Sequence, residues 1–216
     1  MRMSRFLAGL GLALALAVPH AALALTKAEM VELLTTVDER QRNQGDWRSF
    51  VYMEQKEKDK VDVAHEALVF RRSKDQKFMI LFTKPKASQG QGYLRLDKNL
   101  WFYDPSVGKW ERRTERERIG GTNSRRSDFD ESRLAEEYEP EDNGEAKLGA
   151  YTAQVMTLKA KPNIDVAFPV IKLWVDKATK NVLKRQEFAL SGKLLRTSYY
   201  PKWKKIRFRE IPVIIL

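Results

Sequence analysis

The apolar positions of this chain follow two different periods. Between Thr26 and Gly45 the period is helical: Met30, Leu33, Leu34 and Val37 fall at i, i+3, i+4 and i+7, one face of a helix. Thr26 and Glu29 have the spacing of a capping box, polar residues run from Asp38 to Gln44, and Gly45 marks the stop. A lone amphipathic helix of this length has to pack on something. From Trp47 onward the pattern changes to short runs of aromatic and β-branched residues, at 47–54, 64–72, 78–83, 92–96, 100–103 and 108–113. Turn residues separate them: Lys58-Asp59-Lys60, Ser73-Lys74-Asp75, Lys84-Pro85, Asp97-Lys98-Asn99, and Pro105 with Gly108. Strand patterns resume at 151–159, 168–176, 182–190 and 194–200. Runs about ten residues apart with short breaks predict an antiparallel meander, not the alternating strand and helix of a parallel sheet. The expectation is a mainly β, α+β fold: about ten strands around one or two helices, in one domain over 25–216.

Two strand patterns are apolar on both faces: Phe78-Met79-Ile80-Leu81-Phe82 and Leu100-Trp101-Phe102-Tyr103. A one-sided antiparallel sheet alternates to polar on its outer face, so here both faces are covered or one lines a cavity. Residues 114–146 break the rhythm. Arg116, Arg118, Arg125 and Arg126 surround Gly120-Gly121, and Ser127-Asp128-Phe129-Asp130 reads as a cap before a short helix through Tyr138. Glu136, Glu137, Glu139, Glu141, Asp142 and Glu145 then follow without a basic residue. An insertion of this length is a lid, a binding loop or a solvated mobile loop. Near the end, the stretch from Lys193 to Arg209 holds Lys193, Arg196, Lys202, Lys204, Lys205, Arg207 and Arg209 and no acid, and the chain finishes in the apolar run Ile211-Pro212-Val213-Ile214-Ile215-Leu216. That run either tucks in as a strand or marks an abnormal end.

The first 24 residues read as a secretory signal: Arg2 and Arg5, an uncharged apolar run from Phe6 to Val18, Pro19, and small residues at Ala22 and Ala24. The chain would be cut after Ala24 and exported. Of 216 residues, 40 are Lys or Arg and 29 are Asp or Glu, a formal charge of +11. The absence of cysteine excludes disulfides, thiolate metal sites and cysteine nucleophiles. Two histidines exclude a three-histidine metal centre. His65 lies inside a strand pattern, and Gly90-Gln91-Gly92 lacks the rest of any nucleotide fingerprint. We therefore expect no catalytic group, no metal and no cofactor. Tyr199, Tyr200 and Trp203 interleave with Lys202, Lys204 and Lys205 as a nucleic-acid surface would. An exported protein meets anionic lipid headgroups instead, so we expect no nucleic acid.

The stretch Gly92-Tyr93-Leu94-Arg95-Leu96-Asp97-Lys98-Asn99-Leu100-Trp101-Phe102-Tyr103-Asp104-Pro105-Ser106-Val107-Gly108-Lys109-Trp110 resembles the outer-membrane lipoprotein-sorting protein family, which is similar to the periplasmic carrier LolA. Gly90-Gln91-Gly92-Tyr93-Leu94-Arg95, the strand from Phe78 to Pro85 and Ser127-Asp128-Phe129-Asp130-Glu131-Ser132-Arg133-Leu134 match further family stretches. Arg126 replaces the glycine that many members carry there. The family continues with more strands past Trp203-Lys204-Lys205-Ile206, so the chain is expected to end early.

The resemblance implies a half-open antiparallel β-barrel with helices covering its concave face. Its apolar cavity would carry acyl chains of lipoproteins or lipids across the periplasm toward the outer membrane. An inner-membrane transporter complex and an outer-membrane acceptor would be partners of a monomer. The same fold type also serves periplasmic regulatory modules that sense lipoproteins and bind a membrane partner. Combined with the apolar pattern, it suggests Met79, Leu81, Leu94, Leu96, Trp101 and Tyr103 as cavity residues. Phe129 and Leu134 would form the lid, and Arg196, Lys202, Lys204 and Lys205 would meet headgroups or a partner.

Overall fold

The computed structural model describes residues 24–42, 45–56, 59–97, 99–114, 117–206 and 209–215. The signal segment expected at 1–24 lies, apart from Ala24, outside them. Thr26 closes both halves of the predicted capping box: its Oγ1 accepts from the Glu29 N–H at 3.3 Å, and its own N–H donates to Glu29 Oε2 at 2.8 Å. The helix that follows, α1 (Lys27–Gln41), buries Met30, Leu34 and Val37.

The meander comes out as expected for the first half. Strands β1 (Trp47–Gln55), β2 (Val63–Arg72), β3 (Lys77–Lys84), β4 (Gly92–Leu96), β5 (Asn99–Asp104) and β6 (Lys109–Arg113) lie side by side in chain order. A short helix, α2 (Leu134–Glu137), leads into a second sheet of β7 (Tyr138–Leu148), β8 (Tyr151–Ala160), β9 (Val170–Asp176), β10 (Val182–Phe188), β11 (Leu194–Ile206) and β12 (Arg209–Ile215), again neighbours in chain order. Every pairing is antiparallel. The expected half-open barrel is met only in its antiparallel, mainly β character: the strands form two separate six-stranded sheets that do not close into a barrel. The connection from Thr114 to α2 runs between β6 and β7, where a continuous sheet would need those strands to pair.

Two expectations change here. The acidic run is neither a loop nor a longer helix, because α2 ends at Glu137 and residues 138–148 form β7. Tyr138 and Pro140 point inward, and the carboxylates meet lysines: Glu139 with Lys27 at 2.5 Å, Glu141 with Lys159 at 2.6 Å, and Glu145 with Lys177. Pairing removes the like-charge repulsion that would have kept the run unfolded. The apolar tail is a strand: β12 pairs with β11, with Val213 opposite Lys202 and Ile211 opposite Lys204.

Each sheet has its own core. Met30, Leu34 and Val37 of α1 pack with Leu134, Tyr138, Met156, Leu158, Phe168, Ile171, Leu173, Val175 and Val182 against the second sheet. Ala67, Val69, Phe78, Ile80, Phe82, Tyr93 and Leu100 pack with Ile119 on the first. Asp38 ties the helix to the connection. Only 2 % exposed, it accepts the Leu134 N–H at 3.0 Å, the Ala135 N–H at 2.9 Å and the Ser132 hydroxyl at 2.6 Å. It therefore caps α2 from another element, where Arg133 provides no side-chain cap of its own.

Asp38→Ala should strand two buried N–H donors and cost about 2–4 kcal/mol. Urea unfolding will measure the loss, and limited proteolysis should then cut first within 130–137. An unchanged midpoint would show that the cap is dispensable.

Candidate functional site

Strand parity sorts the first sheet's side chains into two faces. Ala67, Val69, Phe78, Ile80, Phe82, Tyr93 and Leu100 form the inner face, which Ile119 and Phe129 of the connection close over. Gly120 makes that closure possible: a Cβ there would stand 2.5 Å from the Phe82 ring, and its φ of +60° suits glycine. Its N–H donates to the Tyr93 hydroxyl at 3.1 Å.

The outer face carries the other parity. Its pairings align Arg48, Phe70, Met79, Leu94, Trp101 and Arg112 in one row. Phe50, Leu68, Leu81, Gly92, Tyr103 and Trp110 form the next. Most of the apolar members are half-buried, whereas Phe50 and Tyr52 are 58 % exposed, Trp110 47 % and Leu96 39 %. The Tyr103 and Trp110 rings lie 5.2 Å apart. An exposed apolar surface spread over six strands is larger than scattered surface hydrophobes account for.

Met79, Leu81, Leu94, Leu96, Trp101 and Tyr103 are thus brought together on one face. Phe129 and Leu134 are not with them. Phe129 sits on the inner side with its ring 5.9 Å from that of Phe78, and Leu134 is buried beside α1. The reason is parity: Phe78 and Met79 are neighbours in β3 and must point to opposite faces. The lid reading is corrected accordingly, because the segment plugs the face behind the one it was expected to cover. Phe50, Tyr52, Leu68, Phe70 and Trp110 complete the surface and were not singled out from sequence. Their signal was the same two-faced apolarity, present in weaker form along β1 and β2.

The connection is pinned by charge. Arg71 and Arg95 are buried on the inner face. Arg95 pairs with Asp130, which also takes Arg126 at 3.1 Å, and Arg71 donates to the Phe129 carbonyl and meets Glu131 at 3.4 Å. Across on the second sheet, Arg196 grips both oxygens of Asp128 at 2.6 and 2.7 Å. It also pairs with Glu187, which is fully buried and takes Arg185 at 2.8 Å. Burying charge is unfavourable unless it is paired, and each of these groups has an ion-pair partner, although the Arg185 Nε makes no hydrogen bond.

Arg196 is therefore an internal bolt with a 10 % exposed side chain, not the headgroup contact expected of it. Lys202 and Lys204 are exposed on β11, and the side chain of Lys205 lies outside the described residues. Tyr200 and Trp203 pack against the core, and the Trp203 indole donates to the Val182 carbonyl at 3.0 Å. They are thus unavailable as a stacking platform for bases. His65 is buried, edge-on to Phe82 with centroids 5.9 Å apart, and burial holds its pKa below the usual value. It stays neutral, as a core histidine does.

Where the connection meets β11, a cleft of about 180 Å3 opens, lined by Arg118, Asn123, Arg125, Leu195, Arg196 and Thr197. Below it, the Tyr138 hydroxyl donates to the Phe168 carbonyl at 3.0 Å, and burial raises the Tyr138 pKa to about 12. Burial also raises those of Tyr93 and Tyr200.

A family model described as "-like: Uncharacterized protein" matches residues 74–215. No curated protein matches the chain. Among solved structures, the chain is similar to a LolA superfamily protein from Nitrosomonas europaea, with 21 % identity and a TM-score of 0.71 over 87 % of this chain and 83 % of that one. It is also similar to a putative outer membrane lipoprotein-sorting protein domain from Vibrio parahaemolyticus, at 18 % identity and 0.71 over 84 % and 81 %. A DUF1329 family protein from Desulfovibrio piger gives 17 % and 0.75 over 85 % and 82 %. At such identities the likeness is one of fold.

Two outcomes are expected from this geometry. Arg196→Met leaves Glu187 buried with one partner fewer and should cost about 3–5 kcal/mol. Adding Glu187→Gln should recover part of it in a double-mutant cycle, and additive losses would argue against the pairing. The second outcome concerns alkaline pH. The folded-state pKa of Tyr138 lies above its unfolded value, so its contribution is complete below pH 10 and is lost as pH rises to about 12. The loss is on the order of 2 kcal/mol. Urea midpoints at pH 9 and pH 11.5 should differ more for the wild type than for Tyr138→Phe.

Proposed function

Since the chain belongs to the family whose model, described as an uncharacterized protein, spans residues 74–215, and since its fold is LolA-like, we propose that it is a periplasmic lipid- or lipoprotein-binding carrier that escorts acyl chains toward the outer membrane. The observation that carries this reading is the apolar outer face of the first sheet. A sheet whose inner face is already filled gains less in folding from Met79, Leu81, Leu94, Trp101 and Tyr103, which stay only half-buried on the other side. Their exposure to water is unfavourable at about 25 cal/mol per Å2, and an acyl chain lying along the strand rows would remove it. The reading is of binding, not catalysis. The segment 1–24 gives the route of export.

The magnitudes suit a carrier. Full burial of one CH2 is worth about 0.8 kcal/mol, so a 16-carbon chain about half covered on an open face gains roughly 6 kcal/mol before its ordering is counted. Such a complex forms and releases readily, as handover between a membrane donor and an outer-membrane acceptor requires. Arg48 and Arg112 end the central row and would meet an anionic headgroup. Lys202 and Lys204, exposed on β11, offer a second basic surface for a membrane or an acidic partner.

Leu94→Glu tests the face, because Leu94 is half-buried and outside the core. Binding of a fluorescent fatty acid should weaken at least tenfold, with the melting temperature within a few degrees of wild type. Trp101 emission should shift to the blue on lipid addition to the wild type. If Leu94→Glu and Leu81→Glu both bind as the wild type does, the face is not the acyl site.

A further inference from the structure

The cleft between the connection and β11 has a charge arrangement that folding alone does not explain. Arg118 and Arg125 stand opposite one another across an isolated antiparallel bridge. Like charges placed directly opposite in a β pair repel and destabilise it, so this placement calls for an anion. The acids nearby are already committed. Asp128 takes both ends of the Arg196 fork and the Arg125 backbone N–H at 2.8 Å. Glu187 takes Arg185 and Arg196, and Glu117 lies 3.7 Å from Arg113.

Arg196 is equally committed. Its five N–H donors serve Asp128, Glu187 and the Asn123 carbonyl. Among the described residues no acid is paired with the guanidinium of Arg118 or Arg125. The Arg125 guanidinium carbon lies over the Phe168 ring, 5.1 Å from its centroid, and that of Arg196 lies 5.0 Å from the same centroid. This cation–π contact holds Arg125 at the cleft, and its planar fork of N–H donors suits recognition of an oxyanion.

We propose that this cleft is a phosphate-binding site in which Arg118 and Arg125 are the ligands and Arg196, held by Asp128 and Glu187, is the rigid floor. The two uncommitted positive charges match a dianion. The volume of about 180 Å3 exceeds that of a bare phosphate, and Leu195, 44 % exposed, supplies one apolar wall. The ligand is therefore a phosphate group, either free or carried as a lipid headgroup. The site lies apart from the outer face of the first sheet and does not depend on acyl binding there.

Isothermal titration of the mature chain in low-salt, phosphate-free buffer tests this, with sodium phosphate and soluble dihexanoyl phosphatidate as probes. Arg118→Gln/Arg125→Gln should weaken binding at least tenfold. Lys74→Gln/Lys147→Gln removes the same charge from exposed sites elsewhere and should change binding less than twofold. The single variant Arg118→Gln, at an exposed residue, should lose at least threefold with an unchanged melting temperature. Equal affinity for the two probes identifies the phosphate group alone as the ligand. Binding of phosphatidate only identifies a lipid-borne phosphate. Binding of neither probe, or equal weakening by the arginine and lysine pairs, overturns the proposal.

Discussion

Three arginines and the carboxylates of one short segment hold this molecule in its arrangement. Asp128, Asp130 and Glu131 reach Arg196 on the second sheet and Arg95 and Arg71 on the first, while Asp38 of α1 caps the helix three residues further on. Among the described residues the two sheets share no strand pairing. Their relation is set through a connection that neither sheet contains. Buried pairs of this kind add little net stability, because desolvation offsets most of the attraction. What they supply is specificity: any other placement of 126–135 would leave several charges buried and unpaired.

Closure of the inner face follows from that constraint. With the segment bolted down, Ile119, Gly120 and Phe129 fill the space over Phe82, Tyr93 and Phe78. The inner side thereby becomes ordinary core. The remaining apolar surface lies on the opposite side of the same strands, where its residues stay half-buried or exposed among the described residues. The candidate lipid face and the candidate phosphate cleft are thus both by-products of one anchoring decision. The first is the face the connection leaves bare. The second is the notch where its arginine-rich turn meets β11.

Two stretches that mark the family resemblance turn out to touch. Arg95 closes Gly90-Gln91-Gly92-Tyr93-Leu94-Arg95, and Asp130 lies in Ser127-Asp128-Phe129-Asp130. Their pairing gives both motifs a structural meaning that needs no ligand. It also explains how an arginine can sit on a buried strand face: its partner arrives from 35 residues away.

Local pattern was enough for α1 and for ten of the twelve strands, all but β7 and β12. The Thr26–Glu29 box and the spacing from Met30 to Val37 specify α1, and alternation with turn residues specifies the strands, because these depend on neighbours within a few residues. Charge along 134–145 misled, since the lysines that neutralise it lie on β8, on α1 and beyond β9. Two-faced apolarity at 78–82 and 100–103 was also legible, and it placed Met79, Leu81, Leu94, Leu96, Trp101 and Tyr103 as a set. Which face became core was not legible. A strand carries no mark of its inward side when both sides are apolar, and only the docking of a distant segment through Arg71, Arg95 and Arg196 decides it. The same holds for Arg196, which reads as one more surface cation until Asp128 and Glu187 are brought around it. Period and capping are properties of the chain; burial and pairing are properties of what the chain meets.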